Sequence, residues 1–263
     1  KVAVMLNVAE DHLDRYPDTA AYAASKARLF RNQEPADTAV FNASDPAVRA
    51  MSESCAARRL FFGGQEALLK EAAASALVTD KTLVVRMGGA VEEEISLAGF
   101  RLRGRHNREN AAAAALAALA AGADLDGVRT ALGAFAGLPH RLQWVGAVKG
   151  VDFYDDSKAT NVDAVRRALE TFSSPVVLLL GGRDKSTDLS PLAGIAAGRV
   201  KRAVVMGEAA GRLASVLSPV VPVTEAASMA DAVNAAFADS RPGEAVLLSP
   251  ACASFDWYEN YAR

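Results

Sequence analysis

Short apolar runs alternate along the chain with segments that favour helices. The apolar runs are rich in Val, Leu and Phe, which is typical of strands buried in a parallel sheet. They lie at residues 1–7, 38–42, 59–63, 82–87, 151–156, 175–182, 202–207 and 245–250. A middle region, residues 75–105, reads as short strands joined by Gly turns. This alternation predicts an α/β fold with mostly parallel sheets.

The segments between the apolar runs are rich in Ala, Leu, Lys and Arg, which are good helix formers. They are residues 19–32, 106–123, 161–172 and 228–240. Asn161 and Ser228 stand where N-caps are expected, and the second helix is expected to end near Gly122.

A domain boundary is predicted near "AGLPHR", residues 136–141, because Gly137 and Pro139 interrupt the preceding helical pattern. A chain of 263 residues suits one large or two ordinary domains. We therefore expect one domain over residues 1–137 and a doubly wound, Rossmann-like domain over residues 138–263.

Composition narrows the function classes. A net charge of -2 argues against a broad nucleic-acid-binding surface. Cys55 and Cys252 are far apart and form no CxxC, which favours a reducing compartment; we interpret Cys252 as a small buried core residue. No apolar run approaches the ~20 residues of a spanning helix, and no signal segment opens the chain. These features predict a cytoplasmic protein without membrane or nucleic-acid partners.

Polar clusters follow four of the predicted strands. They are "LNVAEDHLDRY", "YDDSKATN", "GGRDKST" and "SPACAS". Ligands of open α/β sheets bind at the carboxyl ends of the strands. One such cluster alone is equally consistent with loop closure, but four together favour a ligand site.

Known glycine-rich nucleotide motifs are missing. In "LLLGGRDKST", Asp184 stands where a phosphate loop needs its second Gly. Lys185 is better interpreted as a loop lysine that reaches a carboxylate or a phosphate. No strand is followed by G-x-G-x-x-G, which argues against a dinucleotide-dependent dehydrogenase.

Four further residues are candidates for metal or nucleotide binding, each on the evidence of its own position. His12 lies among three carboxylates, which suits a divalent metal or a plain acidic turn. Lys26 lies on a helix face and by itself reads as a solvated lysine. Asn107 and Asn110 share a helix face, where their amides suit the edge of adenine, although helix capping explains one of them equally well.

Several stretches together resemble the Mur ligases, the ATP-dependent amide-forming enzymes of peptidoglycan synthesis. They occur in the order of that family: "LNVAEDHLDRY", "SKARLF", "GRHNRENAAAA", "GLPHRLQWV", "DDSKATN", "LLLGGRDK" and "LLSPACASFD". Two of these motifs, "DSKATN" and "SPACASFD", resemble the corresponding motifs of particular family members. Those members add D-glutamate to UDP-N-acetylmuramoyl-L-alanine through an acyl phosphate.

The resemblance implies a three-domain enzyme, of which this chain holds two parts. Residues 1–137 correspond to the later part of the central ATPase domain, and residues 138–263 to most of the C-terminal, amino-acid-binding domain. Both ends of the chain look cut, and the UDP-binding domain and the phosphate loop are missing. We therefore expect a fragment that is inactive alone, and a monomer.

The resemblance also implies roles for individual residues. His12 corresponds to a Mg²⁺ ligand, and Lys26 to a carbamylated lysine that binds a second Mg²⁺ as an anion. Residues assigned to ATP are Asn107 and Asn110 (adenine), Arg141 (phosphates) and Asp156 (ribose).

The remaining assignments concern the reacting groups. Lys158 and Thr160 are expected to face the phosphate and the incoming amino acid. Lys185 and Ser254 are expected to bind the D-glutamate carboxylates, with Tyr261 packed nearby.

Two alternatives stay open. A folate-type polyglutamate ligase shares the architecture, but it is expected to lack "DSKATN" and "SPACAS". A non-catalytic, truncated ligand-binding fragment is favoured by the missing phosphate loop. The coding sequence upstream of Lys1 discriminates the second alternative from a fragment of an intact enzyme.

Overall fold

The chain folds into two compact α/β units. The computed structural model describes residues 1–9, 15–69, 72, 74–88, 92–183, 187–254 and 256–257. Unit 1 contains the described residues within 1–9 and 18–136, and unit 2 contains the other described residues. Among the described residues no helix is long and apolar enough to cross a membrane.

Within its described residues, unit 1 is built on one six-stranded sheet with the order β1-β2-β3-β4-β5-β6. The first four strands are parallel, and β5 and β6 continue the sheet antiparallel. The elements are β1 (Val2–Met5), α1 (Thr19–Ala27), β2 (Thr38–Asn42), α2 (Pro46–Glu53), β3 (Arg58–Gly63), β4 (Ala74–Val78), β5 (Thr82–Met87), β6 (Glu92–Ser96), α3 (Arg105–Ala120) and α4 (Leu125–Ala134).

Helix α3 covers one face of this sheet. Its Ala-rich face, with Leu116 fully buried, packs on Val40, Leu60 and Phe62. Small side chains let the helix lie close to the strands, so a long helix is held by burial as well as by propensity. The opposite face is closed by a smaller cluster around Phe41.

Unit 2 also has a six-stranded sheet among its described residues, with the order β11-β10-β9-β12-β8-β7. Five strands are parallel, and the edge strand β7 is antiparallel to β8. The elements are β7 (Gln143–Val148), β8 (Val151–Asp155), α5 (Val162–Leu169), β9 (Val176–Gly181), α6 (Pro191–Ala196), β10 (Val200–Met206), α7 (Ala210–Leu217), β11 (Val223–Ala226), α8 (Met229–Ala238) and β12 (Ala245–Ala251).

Helices cover both faces of the second sheet. Residues of α5, α6 and α7 pack in one cluster, which includes the buried Cys252. Residues of α8 pack on the other face. Since β12 returns between β8 and β9, the unit has the doubly wound, Rossmann-like character that the sequence predicts.

The predicted helix starts are confirmed. The side chain of Asn161 accepts a hydrogen bond from the Ala164 N–H at 2.9 Å. The Ser228 hydroxyl accepts one from the Asp231 N–H at 3.1 Å. Each cap satisfies a backbone donor that a helix cannot satisfy internally.

Most elements begin or end a few residues from their predicted bounds, and two of these differences affect packing or the polar clusters. The helix expected over residues 19–32 ends at Ala27 and continues as a 3₁₀ turn, Arg28–Phe30. This tighter turn buries Phe30 against Phe41, with ring centroids 4.7 Å apart. At the other end of the chain, β12 extends to Ala251, so the first three residues of "SPACAS" belong to the strand.

Candidate active site

The carboxyl ends of three strands meet in unit 2. β12 lies between β8 and β9 and is parallel to both. The ends of these strands and the loops after them carry "YDDSKATN", the described part of "GGRDKST" (residues 181–183 and 187) and "SPACAS". The sheet therefore brings together three of the four polar clusters, at the edge where α/β sheets bind ligands.

Backbone hydrogen bonds join these loops to one another. The Ala251 N–H donates to the Ala159 carbonyl at 2.9 Å, which links the end of β12 to the loop after β8. The Arg183 N–H donates to the Ala253 carbonyl at 2.6 Å, which links the loop after β9 to the same segment. Loops held in this way present their side chains in fixed positions, as ligand recognition requires.

Two glycines make this close approach possible. Gly181 and Gly182 have φ of +143° and +125°, a region that favours glycine. A Cβ on Gly181 would overlap the Met206 carbonyl, and one on Gly182 would overlap the Ala253 carbonyl. The "GG" of "GGRDKST" is thus required for the backbone to pass between its neighbours.

Asp156 is the buried carboxylate of the site, with 9% of its surface exposed. One oxygen accepts from the Leu142 N–H at 3.0 Å, and the other accepts from the Ser249 hydroxyl at 3.2 Å. Burial outweighs these bonds and the nearby positive charge of Arg141, and it raises the pKa of Asp156 from 3.8 to about 6.

Asp155 has the opposite electrostatic behaviour. It lies 2.7 Å from the Nδ1 atom of His140 and accepts from the Ser157 N–H at 2.9 Å. Burial works to raise its pKa, but the bonds from His140 and Ser157 prevail and the pKa is lowered. Two adjacent aspartates are therefore tuned in opposite directions.

The structure brings most of the predicted unit 2 residues to this edge. Arg141 and Lys158 are exposed, while Thr160 and Ser254 are half-buried. Lys158 is fixed through its backbone, since its N–H donates to the His140 carbonyl at 3.2 Å. Two exposed cations and two half-buried hydroxyl residues thus stand on the same turns and loops as the buried Asp156, a set of groups suited to an anionic ligand.

The predicted adenine residues lie in unit 1, on α3. The Asn107 side chain donates to the Arg103 carbonyl at 2.7 Å, and Asn110 is exposed. This bond does not cap α3, because Gly104 stands at the N-cap position and no side chain caps it. The capping interpretation is therefore wrong for Asn107, and the nucleotide interpretation of both amides stays a prediction.

Lys26 lies in the last turn of α1 and is exposed. Its Nζ atom is 5.1 Å from the centre of the Tyr22 ring, within reach of a cation–π interaction. Among the described residues there is no group of three or more His, Cys, Asp and Glu side chains that could hold a metal. His12, Lys185 and Tyr261 lie outside the described residues.

Two features of the site were not predicted from the sequence. The first is the pair His140–Asp155, and the second is the fully buried Ser249 that donates to Asp156. The doublet "DD" gave a signal for the first, because a capped turn needs only one carboxylate. The second had no such signal, since a serine at the end of a strand is common.

Two α/β units, the second with loops joined at the carboxyl edge of its sheet, define a two-domain α/β architecture of the class that binds ligands at the ends of its strands. Two family models match in the same order. "Mur ligase middle domain" matches residues 1–118, and "Mur ligase, glutamate ligase domain" matches residues 140–252. The chain belongs to the Mur ligase family.

Within that family the chain is similar to proteins named UDP-N-acetylmuramoylalanine--D-glutamate ligase. The protein of Desulfatibacillum aliphaticivorans is 49% identical over 261 residues, which are 99% of this chain and 57% of that protein. That of Desulfosudis oleivorans is 46% identical over 262 residues, 100% of this chain and 56% of that protein. The chain thus spans little more than half the length of these curated relatives.

Solved structures show the same fold at low identity. MurF from Acinetobacter baumannii has a TM-score of 0.73 at 19% identity, covering 98% of this chain and 58% of that chain. A pseudomurein peptide ligase type C from Methanothermus fervidus has a TM-score of 0.73 at 17% identity, covering 94% of this chain and 60% of that chain. The α/β fold predicted from the sequence is confirmed.

Proposed function

We propose that this chain is part of an ATP-dependent ligase that joins D-glutamate to UDP-N-acetylmuramoyl-L-alanine in peptidoglycan synthesis. The observation that carries the proposal is the carboxyl edge of unit 2. There the "DSKATN" loop and the "SPACAS" segment are held together by the bond from Ala251 to Ala159. The proteins that share 46% to 49% of the sequence bear the name of this activity.

The proposed reaction has two steps. The L-alanine carboxylate takes the terminal phosphoryl group of ATP, which releases ADP and leaves an acyl phosphate. The amine of D-glutamate then attacks the acyl carbon, and phosphate leaves as the amide forms. Both steps gather anionic oxygens in one place, so the contribution required of the protein is positioning and neutralisation of charge.

Unit 2 offers the groups for this work. Arg141 and Lys158 are exposed cations on segments that a backbone bond from Lys158 to His140 holds together. We assign Arg141 to the nucleotide phosphates, because its guanidinium can contact two oxygens at once. We assign Lys158 to the transferring phosphoryl group.

The amino acid is assigned to the neighbouring loops. Thr160 and Ser254 are half-buried hydroxyl residues at the ends of β8 and β12, which are adjacent strands. D-Glutamate has two carboxylates and one amine, so it needs both hydroxyl donors and a cation. We assign Lys185 to one carboxylate, Ser254 to the other, and Tyr261 to packing against the ligand.

The nucleotide base and sugar are assigned to Asn107, Asn110 and Asp156. Each oxygen of Asp156 accepts one protein hydrogen bond, and a carboxylate oxygen has a second lone pair for a ribose hydroxyl. Asn107 donates one amide hydrogen to the Arg103 carbonyl, just before α3, and the other hydrogen and the carbonyl oxygen suit the adenine edge.

Magnesium is assigned to His12 and to Lys26 as a carbamate, on the resemblance alone. Lys26 is exposed, as addition of carbon dioxide to its amine requires. The described residues offer no three-ligand set, so the ion has no assigned step. The proposal also includes a monomer in the cytoplasm, where nucleotide-linked substrates occur.

Phosphate release tests the proposal. Two proteins are compared: this 263-residue chain and its reading frame extended upstream. Each receives ATP, Mg²⁺ and UDP-N-acetylmuramoyl-L-alanine, with D-glutamate, L-lysine or meso-diaminopimelate. We expect release only from the extended protein and only with D-glutamate.

The other outcomes separate the alternatives. Activity of the extended protein on a folate with L-glutamate, and none with D-glutamate, identifies a folate-type polyglutamate ligase. An extended protein that binds D-glutamate but releases no phosphate with any of these substrates is a binding protein, and the assignment to a ligase is then wrong.

A further inference from the structure

The turn that carries Arg141 has an unusual backbone. His140 and Leu142, on either side of it, have φ of +63° and +47°. Residues with a side chain rarely adopt this left-handed conformation, which is strained and persists only where the surroundings impose it. Two such residues flanking one arginine require a specific set of restraints.

Those restraints are visible in unit 2. The His140 N–H donates to the Gln143 side chain at 2.9 Å, and its carbonyl accepts from the Lys158 N–H at 3.2 Å. The Leu142 N–H donates to Asp156 at 3.0 Å. The shortest link is made by the imidazole of His140, whose Nδ1 atom lies 2.7 Å from Asp155.

These contacts join the turn at 140–142 to the loop that carries Asp156, Lys158 and Thr160. Asp155 is itself fixed, because its other oxygen accepts from the Ser157 N–H at 2.9 Å. Removing the imidazole would take away the bond to Asp155 and leave the bonds of the turn's backbone to Gln143, Lys158 and Asp156, with a strained conformation at two residues. The position of Arg141 then depends directly on the His140–Asp155 bond.

We propose that His140 and Asp155 form a positioning pair that holds Arg141 and the "DSKATN" loop in register for catalysis. The inference rests on the ligase function proposed above. The pair transfers no proton to substrate and touches no reacting atom. Its contribution is to keep the guanidinium where the phosphates are bound, since a misplacement of ~1 Å can reduce a rate by about 10²-fold.

Two substitutions of His140 separate its side chain from its backbone. Glycine adopts the left-handed conformation freely but has no donor. Asparagine tolerates that conformation and places an amide donor near the position of Nδ1. We expect His140→Gly to lower kcat of the extended enzyme by about 10²-fold, with a smaller change in KM for D-glutamate, and His140→Asn to recover most of the loss.

A matched control lies on the same hairpin. Asp152 on β8 accepts a hydrogen bond from the Trp144 indole of β7 at 2.9 Å. Asp152→Ala removes a cross-strand bond of similar length without touching the turn at 140–142. We expect its kcat to equal that of the wild type, whatever its effect on stability.

The outcomes distinguish the two proposals. If the wild-type extended enzyme is inactive with D-glutamate, the proposed function fails. If it is active and His140→Gly resembles Asp152→Ala in kcat, the positioning pair is refuted. If His140→Asn is as impaired as His140→Gly, the donor is not what matters, and the inference is again overturned.

A measurement on the 263-residue chain gives a readout independent of activity. The chain has three histidines, so their ring nitrogens can be resolved by ¹⁵N NMR. We expect His140 to carry its proton on Nδ1, and Asp155→Ala to abolish that preference while the folded spectrum of unit 2 is retained. An unchanged ring spectrum in Asp155→Ala would contradict the pair.

Discussion

Replacement of the buried Asp156 by asparagine should stabilise unit 2 at neutral pH. The carboxylate is 9% exposed, and its pKa is raised from 3.8 to about 6, because burial opposes the charge. At ~1.4 kcal/mol for each tenfold change in acidity, ionising it in the folded state costs up to about 3 kcal/mol. Asparagine keeps an acceptor for the Leu142 N–H, and its amide can donate to Ser249.

The sign of the pH dependence follows from the direction of the shift. Because the folded pKa of Asp156 is raised, the contribution of this group to stability is fully present below 3.8 and is lost as the pH rises through about 6. Asp156→Asn does not titrate and avoids this loss. Its advantage over the wild type should therefore grow between 3.8 and about 6 and then stay constant.

Denaturant unfolding followed by tryptophan fluorescence measures this effect in the right unit. Both tryptophans, Trp144 and Trp257, belong to unit 2. We expect Asp156→Asn to gain about 1–3 kcal/mol at neutral pH and little at the acid end of the range. An advantage that is constant over the whole pH range would refute the argument from burial.

The neighbouring aspartate supplies a control of opposite sign. The pKa of Asp155 is lowered, so its carboxylate stabilises the fold above the ordinary pKa, and this stability is lost as the pH falls through the folded pKa. Asp155→Asn should therefore destabilise unit 2 at neutral pH. If both substitutions changed stability in the same direction, the opposite tuning of the two carboxylates would be wrong.

Three further predictions concern the loop after β9 and helix α1. Gly182→Ala should lower the free energy of unfolding of unit 2 by more than about 2 kcal/mol in the same denaturation assay, because its Cβ would overlap the Ala253 carbonyl. The control is Gly194→Ala on α6, where a Cβ would enter open space. This control should be neutral or stabilising by up to ~1 kcal/mol. Lys185→Ala should weaken D-glutamate use by about 2–5 kcal/mol of transition-state stabilisation in steady-state kinetics, and a near-wild-type result would remove Lys185 from the site. Lys26→Arg should abolish a carbamate signal in ¹³C NMR of the extended enzyme with labelled bicarbonate, and a signal that persists would exclude carbamylation at Lys26.

The strands at the centre of each sheet could be predicted from the sequence because burial on both faces selects continuous apolar runs. β9, with six buried residues, is the clearest example. β7 was missed because it is an edge strand with no buried residue, and its apolar side chains do not alternate with polar ones. Trp144 is 57% exposed and Val145, its neighbour, is 63% exposed. The pairing of β7 is imposed by the tight connection to β8 through Lys149 and Gly150.

The residue types of the site could be predicted from the sequence, but the burial and the hydrogen-bond partners of each residue could not. "YDDSKATN" has more charge than a turn requires, and that excess indicated a ligand site. Which of the two aspartates is buried, and which is paired with His140, depends on contacts between distant segments. The Ser249 hydroxyl, 93 positions from Asp156 in the sequence, is the clearest case. Local patterns carry no information on such contacts.

The insertion of β12 between β8 and β9 has a consequence for synthesis of the protein. As the chain leaves the ribosome, β8 and β9 emerge long before the strand that separates them, and the pair Asp155–Leu248 closes a loop of most of unit 2. Pairings so distant in sequence form late, because loop closure must precede them. The loops after β8 and β9 are therefore joined only when the last strand docks. A chain interrupted before β12 would have these two loops but would lack Ser249 and Ser254, and the site would not form.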